Sequence, residues 1–213
     1  MPTLSEAESK RLLAGFGVPV VPDRVVSDPD GAEAAAAGFD GPVVVKLCGP
    51  GIAHKTERGL VRLGVEGGVV RRAAAELLGA VRPEDGPVEL LVAPMVSGRR
   101  ELIAGLHRDD RFGMTVMLGV GGVLAEAVGD VAFRLLPLEP VDAAELIEDL
   151  ATQALLGPVR GEPAVDRDAL AAVVLGLAAA AGAHPEIVAA DLNPLVIDGD
   201  GRPVAVDALV EVA

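Results

Sequence analysis

An apolar, β-branched run that ends on a lysine, Pro42-Val43-Val44-Val45-Lys46-Leu47-Cys48, passes directly into Gly49-Pro50-Gly51. Such a run reads as a buried strand delivering one ammonium to its end, and the glycine and proline that follow read as a loop. Lysine is scarce: of the 18 basic residues only Lys10, Lys46 and Lys55 are lysines, and two of the three lie nine residues apart across this loop. Arginine in place of lysine, with abundant Ala, Gly and Val, points to a compositionally biased genome, which makes the retained pair informative. A glycine loop can bring backbone N–H groups close to a phosphate, at Gly49 and Gly51, while Lys46 and Lys55 supply compact positive charge. His54 sits between the lysines, where a bound phosphate could be received. The same residues also fit a surface hairpin with two solvated lysines, and the loop alone leaves both readings open.

Composition narrows the class. At 213 residues the chain can form one large domain or two small lobes. With four Phe and no Tyr or Trp it lacks the stacking platforms that single-stranded nucleic acid requires. A net charge of −14 argues the same way, since phosphate backbones are bound through clustered Lys and Arg. An anionic ligand must therefore be met by local charge, not by the field of the whole molecule. One cysteine cannot form an internal disulfide, which fits a reducing, cytoplasmic compartment. The start, Met1-Pro2-Thr3-Leu4-Ser5-Glu6, shows no signal-peptide pattern, and glycine or charge interrupts every long apolar stretch, so no membrane span is expected.

The hydrophobic period switches repeatedly between three-to-four and two, which predicts mixed α and β structure. Ser5-Glu6-Ala7-Glu8 has capping-box spacing and predicts a helix over 6–15. An extended segment begins at Val18, a short alanine-rich helix covers 30–38, strands cover 42–48 and 60–65, and a helix covers 67–81. Strands at 88–96, 100–107, 112–119 and 131–136 follow, then helices at 141–151 and 167–182. Residues 157–163, rich in Gly and Pro, are read as a mobile loop. The end is a hairpin, 186–197 and 203–210, turned by Asp198-Gly199-Asp200-Gly201.

That hairpin carries a second chemical signal. Strand alternation puts Asp191 and Asn193 on one face, and the returning Pro203-Val204-Ala205-Val206-Asp207 interrupts an apolar run with a carboxylate. With a turn of three or five residues, Asp207 stands across from Asp191 or Asn193. Two carboxylates and an amide oxygen form a hard donor set suited to Mg²⁺ that keeps water and phosphate as further ligands. Local turn hydrogen bonds for Asp191 and Asn193, with a solvated Asp207, are the competing reading.

In this order the two signals resemble the ATP-grasp family, and within it the nucleotide-binding subunit or domain of ADP-forming acyl-CoA synthetases. The resemblance runs from residue 5 to Asp207. It rests on Val43-Val44-Val45-Lys46, on His54-Lys55 with Gly59 and Val61, and on Leu91-Val92-Ala93-Pro94-Met95-Val96. Further blocks are Glu101-Leu102-Ile103-Ala104-Gly105 with Arg108-Asp109 and Phe112-Gly113, Gly119-Val120-Gly121-Gly122 with Glu126, and Asp191-Leu192-Asn193-Pro194-Leu195 with Asp207. Asn193 and Asp207, fourteen residues apart, look like the magnesium pair of the related succinyl-CoA synthetases.

The resemblance implies an α+β ATP-grasp fold with nucleotide between two lobes: 20–96 as the first, and 97–213 as the second, packed with the helix in 1–19. It implies an acid–thiol ligase acting with a separate CoA-binding subunit in a hetero-oligomer, using ATP or ADP and Mg²⁺. A phosphoryl group would pass from the partner's histidine to His54 and on to ADP. Lys46 would steady the α and β phosphates and Lys55 would add charge. Val92, Ala93 and Met95 would form the adenine-reading hinge, and Glu101 would contact the nucleotide. Asp191, Asn193 and Asp207 would hold the metal. Related chains often place a polar side chain at the position of Ala93, so base preference is open there.

Other chemistry-bearing residues have plainer readings. His107 and His184 read as structural or capping, Cys48 as a small buried side chain, and Glu126 as a helix-start residue. Arg134 is open between a phosphate contact and a structural role. Two other functions share the motifs: a nucleotide sensor without turnover, for which a phosphorylatable His54 is superfluous, and a stand-alone carboxylate ligase acting through an acyl phosphate.

Overall fold

The computed structural model describes residues 2–52, 55–123 and 125–213. It divides into two compact units, one made of residues 2–8 and 21–95, the other of residues 9–20 and 96–213. Among the described residues no helix is long and apolar enough to cross a membrane.

The smaller unit begins with the first turn of α1 (Glu6–Ala14). The capping box read from the sequence is formed: Ser5 N–H donates to Glu8 Oε2 at 2.9 Å, and Glu8 N–H to Ser5 Oγ at 3.3 Å. Then come β1 (Arg24–Val26), α2 (Pro29–Ala36), β2 (Val43–Cys48), β3 (Val61–Val65), α3 (Val69–Gly79) and β4 (Glu89–Pro94). Asp28 starts α2 by accepting from Gly31 N–H at 2.8 Å, and Pro29 occupies the first helical position, where its missing N–H costs nothing. The strands form an antiparallel sheet in the order β1-β4-β2-β3. Alternation along β2 sends Val43, Val45 and Leu47 into one core with Ala32, Leu77 and Leu90. Val44, Lys46 and Cys48 are thereby sent to the opposite face.

The larger unit is built on β5 (Arg100–Asp109), β6 (Gly113–Val120), β7 (Val131–Leu135), β8 (Ile187–Ile197), β9 (Pro203–Ala205) and β10 (Leu209–Val212). The sheet runs β10-β8-β5-β6-β7, with β9 also paired to β8. Its helices are α4 (Ala125–Val128), α5 (Pro140–Glu148) and α6 (Arg167–Ala183), the last capped by Asp166 accepting from Ala169 N–H at 2.9 Å. Leu102, Ala104 and Leu106 face α6 and are buried with Val116, Leu118, Leu192 and Leu195. The intervening residues Glu101, Ile103, Gly105 and His107 therefore look out from the other face, which also exposes Phe133 and Leu135.

Two local readings change. The returning strand of the last hairpin is broken: β9 ends at Ala205 and β10 resumes at Leu209, so Asp207 lies in the gap and not in a strand. Val206 N–H reaches Pro194 O at 3.3 Å at this break. Residues 157–163, read as mobile, are pinned. The guanidinium of buried Arg100 donates to Leu155 O, Gly157 O and Pro163 O and pairs with Glu162, so a long-range contact supplies the order that local composition withholds.

Candidate functional site

In the smaller unit, Lys46 stands on β2 between Val44 and Cys48 and is only 6 % exposed. A buried ammonium needs a counter-charge. Glu6, in the first turn of α1, provides it: its Oε1 lies 2.8 Å from Lys46 Nζ and its Oε2 lies 2.6 Å from Lys55 Nζ. One carboxylate thus joins both lysines that flank the loop. Neither is a solvated surface lysine, which removes the hairpin alternative. Sequence reading missed Glu6 because a carboxylate in a helix's first turn is already explained by the helix dipole.

The loop is shaped by close approach. A Cβ on Gly49 would sit 2.6 Å from Pro87 O, and one on Gly51 would sit 2.6 Å from Asp85 O. Glycine is needed at both positions because the backbone of 85–87 runs against the loop. Asp85 ends a 3₁₀ turn, Pro83–Asp85, and is buried. Its carboxylate grips the guanidinium of Arg58 in a two-pronged pair, Nη1–Oδ1 2.8 Å and Nη2–Oδ2 2.9 Å, and accepts from Arg82 N–H at 2.8 Å. The Arg58 hydrogen bond is the main cause holding the Asp85 carboxyl below the usual aspartate range, and the same bond raises the Arg58 guanidinium. His54 lies outside the described residues. Cys48 closes β2, and burial pushes its thiol up, as befits a small buried side chain and not a nucleophile.

Val92 and Ala93 are buried in β4, while Met95 is 38 % exposed. β1 reaches along β4 only to Val92, opposite Arg24, and β2 continues to Pro94, opposite Val43. Beyond Val92, β1 no longer pairs with that edge of β4. On its other edge β4 stays bonded past that point, Met95 N–H donating to Pro42 O at 3.0 Å.

In the larger unit, Glu101 on β5 is bordered by the glycine run. Gly121 N–H donates to Glu101 O at 2.8 Å, and a Cβ on Gly122 would sit 3.4 Å from Glu101 Oε2. Asp191 pairs across β5 with Gly105, where a Cβ would lie 3.9 Å from Asp191 Oδ1. Leu195 faces Ala205 and Asp191 faces Leu209, so one register continues through the gap and sets Asp207 level with Asn193 after a five-residue turn. Asp191 and Asn193 keep solvent access. Surrounding protein mass first, and the charge of Asp207 second, raise the Asp191 carboxyl above the usual aspartate range. A carboxyl raised partly by a neighbouring carboxylate, on the strand face that also carries an amide oxygen, suits a divalent cation, which would relieve the repulsion. Among the described residues no three His, Cys, Asp or Glu side chains converge as a complete metal cage, so such a site depends on Asn193 and on ligand or water oxygens.

A cavity of about 520 Å³ opens on the same sheet face, lined by Gly105, His107, Met117, Phe133, Asp191 and Leu209. Arg134 turns to α5, 2.7 Å from Asp149 and 3.7 Å from Glu145, so it is occupied structurally. His184 caps α6 and pairs with Glu186 at 3.0 Å. Glu126 sits in the first turn of α4.

A family model described as an ATP-grasp domain matches residues 2–212. Acetate–CoA ligase [ADP-forming] I of Archaeoglobus fulgidus is 34 % identical over 201 residues, which are 93 % of this chain and 29 % of that protein. The beta subunit of acetate–CoA ligase [ADP-forming] I of Pyrococcus furiosus is 32 % identical over 209 residues, 96 % of this chain and 90 % of the subunit. The chain thus spans under a third of the first relative and most of the second. Among solved structures it is similar to acetyl-coenzyme A synthetase 1 of Ca. Korarchaeum cryptofilum, at 31 % identity in two states. One, with coenzyme A and Ca-AMPCP, has a TM-score of 0.90 and covers 100 % of this chain and 94 % of that chain. The other, with coenzyme A and Mg-AMPPCP and a phosphohistidine segment pointing towards the nucleotide binding site, has a TM-score of 0.81 and covers 98 % and 92 %.

Proposed function

The chain belongs to the ATP-grasp family, and on that premise we propose that it is the nucleotide-binding part of an ADP-forming acyl-CoA synthetase. The reaction interconverts acyl-CoA, ADP and phosphate with carboxylic acid, CoA and ATP. The observation that carries this reading is a chain-long match to a beta subunit joined to two centres of suitable chemistry, the buried lysine pair after β2 and the oxygen donors of β8. A beta subunit has a partner, and the chemistry asks that partner for CoA and the acyl group. Its histidine would hand the phosphoryl group to His54, whose imidazole is nucleophilic at neutral pH and whose phosphoramidate is a high-energy donor.

Lys46 and Lys55 meet the nucleotide phosphates, Glu101 contacts the nucleotide, and the backbone from Ala93 to Met95 reads the base. Asp191, Asn193 and Asp207 fit Mg²⁺, which when bound neutralises charge on the transferring phosphoryl group. The experiment is reconstitution. With a CoA-binding partner, acetyl-CoA, ADP and phosphate should give ATP, and neither part alone should do so. Carboxylate-dependent ATP hydrolysis by the isolated chain would instead make it a stand-alone ligase, and nucleotide binding with no turnover under any pairing would make it a sensor.

A further inference from the structure

Both lysines that this reading assigns to phosphate are already engaged by an anion of the protein itself. Glu6 is 3 % exposed and touches Lys46 Nζ at 2.8 Å and Lys55 Nζ at 2.6 Å, with side chains of 8 % and 9 % exposure. Two ammonium groups and one carboxylate leave this triad at +1, in a chain whose net charge is −14. Buried triads of this kind are not free stabilisers, because desolvating three charges offsets much of their attraction. Simple structural pairing would be served by arginine, whose planar fork makes the stronger bond to a carboxylate, and this chain uses arginine at fifteen of eighteen basic positions. A compact ammonium at each of these two positions can also meet a phosphate oxygen, as a point charge.

We propose that Glu6 is an internal counter-anion that tunes nucleotide affinity: it holds Lys46 and Lys55 together in the absence of nucleotide and opposes the arriving phosphate charge. A nucleoside diphosphate or triphosphate thus meets lysines whose charge Glu6 partly offsets, which favours release after phosphoryl transfer over tight retention. The inference rests on the assignment of Lys46 and Lys55 to the nucleotide phosphates.

Calorimetry of the whole chain with ADP and Mg²⁺, and separately with adenosine, tests it. Glu6→Gln keeps the shape and one acceptor but removes the charge, so ADP should bind about ten-fold tighter, the charge acting across only a few ångströms. Adenosine, which has no phosphate, should bind as it does to wild type. A structural role would weaken both ligands together. If Glu6→Gln does not fold, Glu6→Asp decides, because it draws the carboxylate back by one methylene: ADP should bind about two-fold tighter with adenosine unchanged. ADP affinity unchanged or weakened in the folded variant, while Lys46→Ala still weakens it, overturns the role of Glu6 alone. ADP affinity that Lys46→Ala leaves untouched overturns the lysine assignment and this inference with it.

Discussion

The two charged centres solve opposite problems. In the smaller unit, cations are scarce, buried and joined to an internal carboxylate, Lys46 and Lys55 sharing Glu6. In the larger unit, Asp191 keeps solvent access and is raised by its surroundings and by Asp207. An acidic chain can supply carboxylates anywhere but must place each ammonium deliberately. Its positive centre therefore carries its own counter-charge, whereas its negative centre gains most from a ligand that brings positive charge.

The largest expected effect lies at the second centre. Asn193→Ala and Asp207→Ala should each lower magnesium-dependent turnover about 10²- to 10³-fold, the usual loss when one electrostatic partner of a reacting phosphoryl is removed. Each should need more Mg²⁺ for half-maximal rate while keeping its far-ultraviolet dichroism. Unchanged magnesium dependence in both would break the comparison by making the hairpin structural.

A smaller effect belongs to the loop beside the first centre. Gly51→Ala puts a Cβ 2.6 Å from Asp85 O, where backbone cannot yield cheaply, and should destabilise the protein by about 1–3 kcal/mol in urea unfolding. Gly199→Ala, at a position with open space around its Cβ, is the control and should be near neutral. Equal stability of the two variants would show that the backbone of 85–87 does not shape the loop.

The smallest effect sharpens the contrast in sign. A carboxyl whose folded-state pKa is raised binds its proton more tightly when folded, so stability falls as pH rises from the ordinary aspartate range through the raised value. Above that window the ionised group carries its full cost. Asp191→Asn removes that cost, so without magnesium the variant should melt slightly higher than wild type at neutral pH. Solvent screening holds the gain below about 1 kcal/mol. The gap should close as pH drops below the ordinary aspartate range, and magnesium should stabilise wild type more than the variant. A variant that melts lower at neutral pH would contradict the raised carboxyl.

Most strands and the capping box at Ser5 were legible in the sequence because each is set by local rules, alternation and spacing, whereas the last turn was open between three and five residues until the pairing of Ile197 with Pro203 set it at five. The ATP-grasp assignment was legible because several short blocks keep their order. What stayed hidden depends on contacts between distant residues. Glu6 lies forty positions from Lys46, and nothing in its helix turn distinguishes it from an ordinary acidic first-turn residue. Arg100 sits in a strand and gives no sign that it ties down residues 155–163, whose composition alone suggests freedom. Asp207 looked like a strand residue because an apolar alternation runs through it, yet regular pairing lapses between Ala205 and Leu209 although the register is the same on both sides.

The central claim is that phosphoryl passes through this chain on His54, and labelling tests it directly. With γ-labelled ATP and Mg²⁺, alone or with the CoA-binding partner proposed above, wild type should acquire one acid-labile, base-stable phosphoryl group, as a phosphoramidate does and phosphoserine or phosphothreonine does not. His54→Asn keeps size and one hydrogen-bonding face but removes the nucleophilic nitrogen, so the label should vanish while nucleotide still binds. Full acyl-CoA-dependent ATP formation by His54→Asn in the presence of the partner would contradict the account.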